Sequence, residues 1–284
     1  MAEKSKAVLI TGCSTGIGRE TARHLASKGH TVYATARKPE TLADLKTAGC
    51  KTLALDVTDE TSMQAAVDTV VEAEGAVGIL INNAGYSQSG AVESIDLESI
   101  RRQFETNVFG LIRMCQLCLP GMRDQGYGRI VNIGSMGGKL TFPGGGIYHA
   151  TKYSVEAISD AMRFEVKGFG VDVVLIEPGL ITTEFGTTAA TSLDDATSGD
   201  GPYDEFNAHL GRLTIGAYEG PMAKLGGGPD AVAKTIEKAL RSSRPRPRYP
   251  VTPSARLAMA QRKLVTDRMW DRLMAAQFRR PKSD

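Results

Sequence analysis

The sequence predicts a doubly wound α/β fold, one open parallel sheet with helices on both faces. Three observations lead there. Short apolar runs alternate with longer helical patterns from the N-terminus onward. The runs are continuously apolar rather than alternating with polar residues, so both faces of the sheet are covered. Repeated strand–helix–strand units demand right-handed crossovers, which lay successive strands parallel. With 284 residues, 42% of them apolar, the chain has ample material for a sizeable core.

Each element follows from local chemistry. Residues 6–11 (KAVLIT) read as a buried strand, followed by a glycine turn and a helix over about 16–28, with Gly29 where a C-terminal glycine belongs. Residues 31–35 (TVYAT) form the next strand. Pro39 then opens a helix that Gly49 closes. Residues 52–55, 78–82, 129–133 and 171–176 give four further strands, and the longest helical patterns cover 97–123 and 148–169. After Pro178 the rhythm breaks. Residues 184–228 are rich in Thr, Ala, Ser, Asp and Gly and show only weak helical fragments, which suggests a long loop lying over a substrate. Pro229 and Asp230 open a helix to about 240, and 248–251 suit a last edge strand. Two short amphipathic helices follow. The first is capped by Ser254; the second, after Asp267, gathers Met269, Trp270, Leu273, Met274 and Phe278 on one face. The expected organisation is a dinucleotide-sized domain over 1–240, containing the 184–228 insertion, and a C-terminal extension over 241–284.

Charge is unevenly placed. Residues 241–284 hold 12 basic residues against 3 aspartates, or +9, and the remainder holds 22 basic against 29 acidic, or −7. Such a tail suits a segment docked on an acidic body, or an anionic surface. Few aromatics interleave its arginines, so no stacking platform for nucleic acid is visible. No stretch of 18 apolar residues exists to span a membrane. The segment before Val8-Leu9-Ile10 lacks the apolar centre of a secretory signal, and four cysteines fit a reducing, cytoplasmic setting.

The chemistry sits in three places. Thr11-Gly12-Cys13-Ser14-Thr15-Gly16-Ile17-Gly18 lies between the first strand and the first helix. Glycines there let the backbone approach a pyrophosphate, and the helix N-terminus offers free N–H groups. At the end of the second strand, where an acid would hold a ribose diol, stands Ala36, followed by Arg37. A guanidinium there favours a 2′-phosphate, hence NADP (NADPH); a solvated surface arginine is the plainer alternative. Tyr148 and Lys152 are four apart at a helix start and so share a face. A neighbouring ammonium brings a tyrosine toward working range as a general acid or base. Ser135 ends a strand in the same crevice. Cys115 and Cys118 lack a second pair and suit buried thiols, Cys13 shows no sign of redox use, and no metal site is expected.

Taken together these motifs resemble the short-chain dehydrogenase/reductase family over roughly residues 6–240, most closely its NADP-dependent hydroxysteroid and retinol dehydrogenase branch. The glycine run matches its T-G-x-x-x-G-I-G, Asn82-Asn83-Ala84-Gly85 its N-N-A-G, and Pro178-Gly179 with Thr183 its P-G-x-x-x-T. The resemblance implies a Rossmann fold and a tetrad of Asn107, Ser135, Tyr148 and Lys152. Tyr148 would be the acid/base, Ser135 would bond the substrate oxygen, and Lys152 would hold the nicotinamide ribose. Asn107 would anchor a water in a proton relay. Gly12, Ser14, Thr15, Gly16, Ile17, Gly18 and Arg37 would bind the cofactor phosphates, with Asp56 and Val57 at the adenine. Asn83, Ala84, Gly85, Tyr148, Lys152, Pro178, Gly179, Ile181 and Thr183 would complete the cofactor site. Expected partners are a small carbonyl or alcohol substrate, lipophilic in character, and further copies of the chain as a dimer or tetramer. Nucleic acid and a membrane span are not expected. A catalytically silent NADP-binding sensor is the alternative, against which the intact tetrad speaks. His149, pointing off the Tyr–Lys face, suits a structural or substrate-rim role.

Overall fold

The computed structural model describes residues 3–195, 201–219, 221–278 and 280–281. Seven strands form one sheet: β1 (Val8–Ile10), β2 (Val32–Ala36), β3 (Lys51–Ala54), β4 (Ile79–Asn82), β5 (Gly128–Ile133), β6 (Val171–Glu177) and β7 (Arg248–Pro250). Their order is β3-β2-β1-β4-β5-β6-β7, and every neighbouring pair is parallel. The order reverses between β1 and β4, which opens a crevice at the carboxyl edge. The doubly wound expectation holds.

Alternation along each strand sorts side chains to two cores. Leu9, Tyr33, Leu80, Ile130 and Val173 face one side, with α3 (Glu60–Glu74), α5 (Gly110–Asp124) and α6 (Gly146–Glu165). Val8, Ile10, Ala34, Ile81 and Val131 face the other, with α1 (Gly16–Ser27), α2 (Ala43–Thr47) and α9 (Pro229–Arg241). β3 departs from the covered pattern: it is the sheet edge, and Lys51 and Ala54 are exposed. A lysine on an edge strand discourages pairing with another chain.

Three expectations are corrected. The single helix read over 97–123 is two, α4 (Leu97–Phe104) and α5, joined by a π turn at Glu105–Phe109. Periodicity could not show the break, because buried hydrogen bonds of Asn107 hold it. The stretch 184–228 is more helical than its composition suggested. It forms α7 (Glu184–Asp195), α8 (Asp204–Glu219) and a 3-10 turn at Pro221–Leu225, while residues 196–200 and 220 lie outside the described residues. Counting Thr, Gly and Ser over the whole stretch hid the spacing of Phe206, Leu210, Leu213 and Ala217, one helical stripe. Finally, the caps of α10 (Pro253–Leu264) and α11 (Asp267–Gln277) are Thr252 and Thr266. Ser254 is buried instead, its hydroxyl accepting from Leu180 N at 3.2 Å.

One buried cation ties the sheet to the α9 terminus. Arg129 of β5, 5% exposed, donates to the carbonyls of Ala239 (2.9 Å) and Leu240 (2.6 Å) and to Asp172 (3.0 Å). It thereby satisfies orphan C-terminal carbonyls and meets the negative end of the helix dipole. Arg129→Met should therefore leave buried acceptors unpaired and lower stability by about 3 kcal/mol, read as a shift in urea midpoint at unchanged m-value.

Candidate active site

The glycine loop is built against the end of β4. Asn83 Nδ2 donates to Thr11 O (3.0 Å) and Gly12 O (2.8 Å), and the N–H groups of Asn83 and Ala84 both donate to Thr11 Oγ1 at 3.0 Å. This closeness explains the glycines. Gly12 has φ +72°, and a Cβ there would stand 2.8 Å from Ala84 Cα. A Cβ on Gly18 would stand 2.3 Å from Gly12 O and 2.4 Å from Asn83 Nδ2. Thr15 precedes α1 without a side-chain cap, and no acid sits in the first turn. The helix thus presents unoccupied N–H groups and its positive end to the crevice. Thr11 was not singled out from sequence. Its clue was a hydroxyl next to the first glycine, readable only once the partner loop is known.

Ala36, Arg37, Asp56, Val57 and Thr58, where adenine was expected, line the cleft together with Tyr86 and Arg102. Arg19 nearby is committed to Asp44 and to the Ser14 carbonyl. Arg37 is exposed, and no salt bridge among the described residues engages it. Pro178, Gly179, Ile181 and Thr183 line the far end, the side chain of Thr183 packing toward Gly16. Ile181 is pinned by a parallel bridge to Gly227. A Cβ on Gly179 would come within 2.5 Å of the Thr252 and Ser254 hydroxyls, so α10 abuts this segment directly.

Ser135, Tyr148 and Lys152 line the same cleft. Lys152 is 8% exposed, and its Nζ donates to Ile133 O at 2.8 Å and lies 5.8 Å from the Tyr148 ring centre. Burial lowers its pKa to about 8. Ser135 Oγ accepts from Gly137 N at 3.0 Å, which fixes the oxygen and leaves its O–H to donate. The Tyr148 ring lies between His149 (centres 5.6 Å apart) and Phe185 of α7 (5.5 Å). His149 Nδ1 donates to Gly137 O (2.9 Å), and Nε2 accepts from Phe142 N (3.2 Å). The ring is therefore neutral in this arrangement, and burial lowers its pKa. It fastens the 137–142 loop to α6, the structural role expected of it.

Asn107 is brought to the same place in a different capacity. Both its amide donors are consumed, by Tyr86 O (2.9 Å) and Thr151 Oγ1 (3.1 Å), and Oδ1 accepts from Tyr86 N (3.1 Å). The side chain binds the 86 region to α6.

The cleft encloses about 1460 Å³. Its apolar lining includes Phe142, Phe185, Leu210, Trp270, Met274 and Phe278; the last three lie on the amphipathic face read from the sequence, and the first three were not foreseen. Trp270 Nε1 donates to Thr141 O (3.3 Å), and the Phe142 ring lies 6.2 Å from Trp270 and 6.4 Å from Phe278. The C-terminal helices thus border the site. Cys13, Cys115 and Cys118 are buried, burial pushing the thiols of Cys13 and Cys115 up to about 12, which makes them poor nucleophiles. Among the described residues no group of three or more His, Cys, Asp or Glu is gathered as metal ligands would be, and no helix is long and apolar enough to cross a membrane.

Comparison with known proteins gives a consistent result. Residues 6–193 match the family described as short chain dehydrogenase. An uncharacterized oxidoreductase of Escherichia coli K12, YbbO, is 34% identical over 270 residues, covering 95% of this chain and 94% of that one. The NADPH-dependent 3-dehydrocapnine reductase of Ornithobacterium rhinotracheale is 34% identical over 279 residues, 93% and 94% of the two chains. The 3-ketodihydrosphingosine reductase of Bacteroides thetaiotaomicron is 41% identical over 179 residues, 63% and 65% of the two. Among solved structures, a short-chain dehydrogenase from Streptomyces avermitilis superposes with TM-score 0.79 at 32% identity, covering 96% of each chain. A serine dehydrogenase holding NADP+ (TM-score 0.75, 28% identity, 87% and 94% covered) and a Burkholderia phymatum family member holding NAD (0.77, 25%, 100% and 99%) are also similar.

The glycine loop gives a direct test. Gly18→Ala places a methyl against backbone that cannot yield cheaply, so the loop should move and its hydrogen bonds to Asn83 break. We expect faster amide exchange over residues 11–18 and 83–85 and a melting temperature lower by several degrees. Unchanged exchange would refute the packing argument.

Proposed function

The chain belongs to the short-chain dehydrogenase family, and from that premise we propose that it is an NADP(H)-dependent oxidoreductase of lipophilic ketones and secondary alcohols. The presence of Ser135, Tyr148 and Lys152 in one cleft with the glycine loop and the Pro178 segment carries this reading. Coarser parts need no proposal: the family acts on CH–OH and C=O groups, and similar structures hold NADP+ or NAD.

The site fits a dinucleotide. Gly12, Ser14, Thr15, Gly16, Ile17 and Gly18 offer a backbone cradle that a Cβ at position 18 would fill, and the uncapped start of α1 suits a pyrophosphate. Arg37, free of ion pairs among the described residues, is available to a 2′-phosphate, and Ala36 supplies no acid to repel it. Asp56 and Val57 would flank the adenine, and Asn83, Ala84 and Gly85 the central ribose. Pro178, Gly179, Ile181 and Thr183 would hold the nicotinamide end. The name of the Ornithobacterium relative supports NADPH.

When bound, the nicotinamide donates or accepts the hydride. The chain handles the proton. In the reductive direction Tyr148 donates its phenolic proton to the substrate oxygen, and Ser135 O–H bonds the same oxygen as charge develops. Lys152 spends one of three donors on Ile133 O, keeping two for a ribose and the phenol. Its ammonium stabilises the phenolate left behind. With its lowered pKa, Lys152 loses that charge as pH rises through about 8, so reduction should weaken above it. Asn107 keeps the π turn and α6 in register. The aromatic wall of Phe142, Trp270 and Phe278 supports an apolar substrate, as does a relative named for a ketodihydrosphingosine. A silent sensor has no observation in its favour: no tetrad member is missing or diverted from the cleft except the Asn107 amide.

Two measurements test this. NADPH should bind at least about tenfold more tightly than NADH, and Arg37→Asp should reverse the order, since charge-assisted bonds contribute about 1.5–3 kcal/mol each. Equal affinities in the unmodified protein would sink the NADP assignment. Tyr148→Phe should cut turnover of apolar ketones by about 10²–10⁴ while NADPH affinity stays within a few fold; more than a tenth of the rate remaining would contradict the acid role.

A further inference from the structure

One buried ionisable cluster lies beneath the reacting groups and takes no part in the chemistry above. Glu156 sits on α6 one turn beyond Lys152, and Glu177 ends β6 immediately before Pro178. They are 4% and 2% exposed, and their carboxyl groups are within hydrogen-bond reach of each other. Glu156 Oε2 meets Lys139 Nζ at 2.6 Å and Arg248 Nε at 3.1 Å, and Arg248 Nε stands 3.6 Å from Glu177 Oε1. Arg248 also reaches Asp160, which Arg163 pairs at 2.6 Å. From α10, Arg256 and Lys263 line a cavity of about 550 Å³ that Glu177, Lys139 and Arg248 also border.

Two facts about this cluster do not fit a pair of carboxylates. Oε1 of Glu156 and Oε1 of Glu177 are both buried without a hydrogen-bond donor. Ionised carboxylates only accept, whereas a carboxylic acid also donates. A single proton between the two groups satisfies both oxygens at once. The charge count agrees: Lys139, Arg248 and Arg163 face Glu156, Glu177 and Asp160, but Arg163 turns away to Asp160 and the Val173 carbonyl. Around the two glutamates only Lys139 and Arg248 remain, and Arg248 is shared with Asp160.

We propose that Glu177 is held as a carboxylic acid sharing one proton with Glu156, and that this makes it a positioning residue for the reaction. The pair sits where three pieces of backbone meet. Lys139 follows the turn that begins at Ser135; a Cβ on Gly138 of that turn would lie 2.8 Å from both Glu156 Cγ and Lys152 O. Met136 N donates to Pro178 O at 2.9 Å. Ser135, the Tyr148–Lys152 helix and the Pro178 segment are therefore clamped around the shared proton. Without it, two buried anions face each other and push α6 away from the end of β6. The positioning half rests on the oxidoreductase reading; the shared proton does not.

The sign of the pH effect follows. Burial, then the neighbouring Glu156, push the Glu177 pKa up to about 7. Between its ordinary range and that value, the folded state binds more protons than the unfolded chain. This contribution to stability is full below the ordinary carboxylate range and is lost as pH rises through about 7. Glutamine at 177 is neutral and donates at every pH, so it mimics the acid and removes the titration.

The experiment melts the ligand-free wild type, Glu177→Gln and Glu156→Gln between pH 5.5 and 8, and repeats the series as NADPH binding titrations. The melting temperature of Glu177→Gln minus that of wild type should rise by about 3 °C or more across the range. NADPH binding by wild type should weaken about threefold or more relative to Glu177→Gln over the same interval. Should Glu177→Gln fail to fold, Glu156→Gln decides: burial still raises Glu177, but the part owed to Glu156 is lost, so a smaller flattening in the same direction is expected. Parallel melting curves in every folded variant would overturn the shared proton. A changing melting difference with identical NADPH pH profiles would overturn the positioning role. NADPH failing to bind anywhere would refute the cofactor assignment, and the melting series would still decide whether the proton is shared.

Discussion

The site depends on one set of hydrogen bonds, those that Asn83 makes across the switch point to the carbonyls of Thr11 and Gly12. β1 and β4 are adjacent and parallel, so the loops leaving them start side by side. Without a bridge, each loop would carry unpaired backbone groups into a crevice that a ligand must also enter. The amide of Asn83 and the hydroxyl of Thr11 pair those groups with each other instead. The remaining N–H groups of α1 are then directed outward. The glycines follow from this closeness, since Gly12, Gly16 and Gly18 stand where any side chain would separate the two loops or strain the turn.

Burial governs the second half of the site. Lys152 is enclosed by α6 and the end of β5, and desolvation lowers its pKa to about 8. A pKa of about 8 still leaves the charge largely in place near neutrality, with its first donor anchored on Ile133 O rather than on a carboxylate. A carboxylate partner would have raised the pKa and screened the phenol. The acid one turn further along the same helix, Glu156, is instead engaged by Lys139 and Arg248. The fold therefore keeps the ammonium facing Tyr148 and gathers the acids beneath.

Much of this was legible in the sequence. The seven strands were read within a few residues of their bounds, because fully covered strands leave continuous apolar runs between turn glycines. The glycine loop, Ser135, Tyr148 and Lys152 were singled out because each expected role requires a particular residue type at fixed spacing, and they do line one cleft. Other features had no such signal. The π turn at Glu105–Phe109 arises from tertiary hydrogen bonds of Asn107, and a single-helix pattern reads straight through it. Helices α7 and α8 were masked by a composition averaged over a long stretch. The pairing of Glu156 with Glu177 joins residues on a helix and a strand that no local pattern connects. The +9 tail was only partly what its charge suggested: Arg248 does dock on Glu156 and Asp160, whereas Arg262 pairs with Asp267 inside the tail itself.

The aromatic wall of the cleft shows how such a chain could change specificity while keeping its tetrad. Phe142 projects from a loop held at four independent points. His149 accepts from the Phe142 N–H, Trp270 donates to the Thr141 carbonyl, Gly90 N–H donates to Gly144 O at 2.8 Å, and Leu210 of α8 packs over Gly144. That last contact requires glycine twice over: φ is +74°, and a Cβ would lie 2.0 Å from Leu210 Cδ1. Of these fasteners only His149 belongs to the helix bearing Tyr148, and its neutral ring moves no proton in the reaction. The others come from α8, α11 and the 87–90 loop, not from the residues that hydrogen-bond Lys152, Ser135 or the Asn83 side chain. Substitutions at Leu210, Trp270 or Phe278 can therefore reshape the wall without disturbing the hydrogen bonds of Lys152, Ser135 or Asn83. The wall is separable from the reacting groups because the loop joining them is tied down at its own ends rather than through the chemistry.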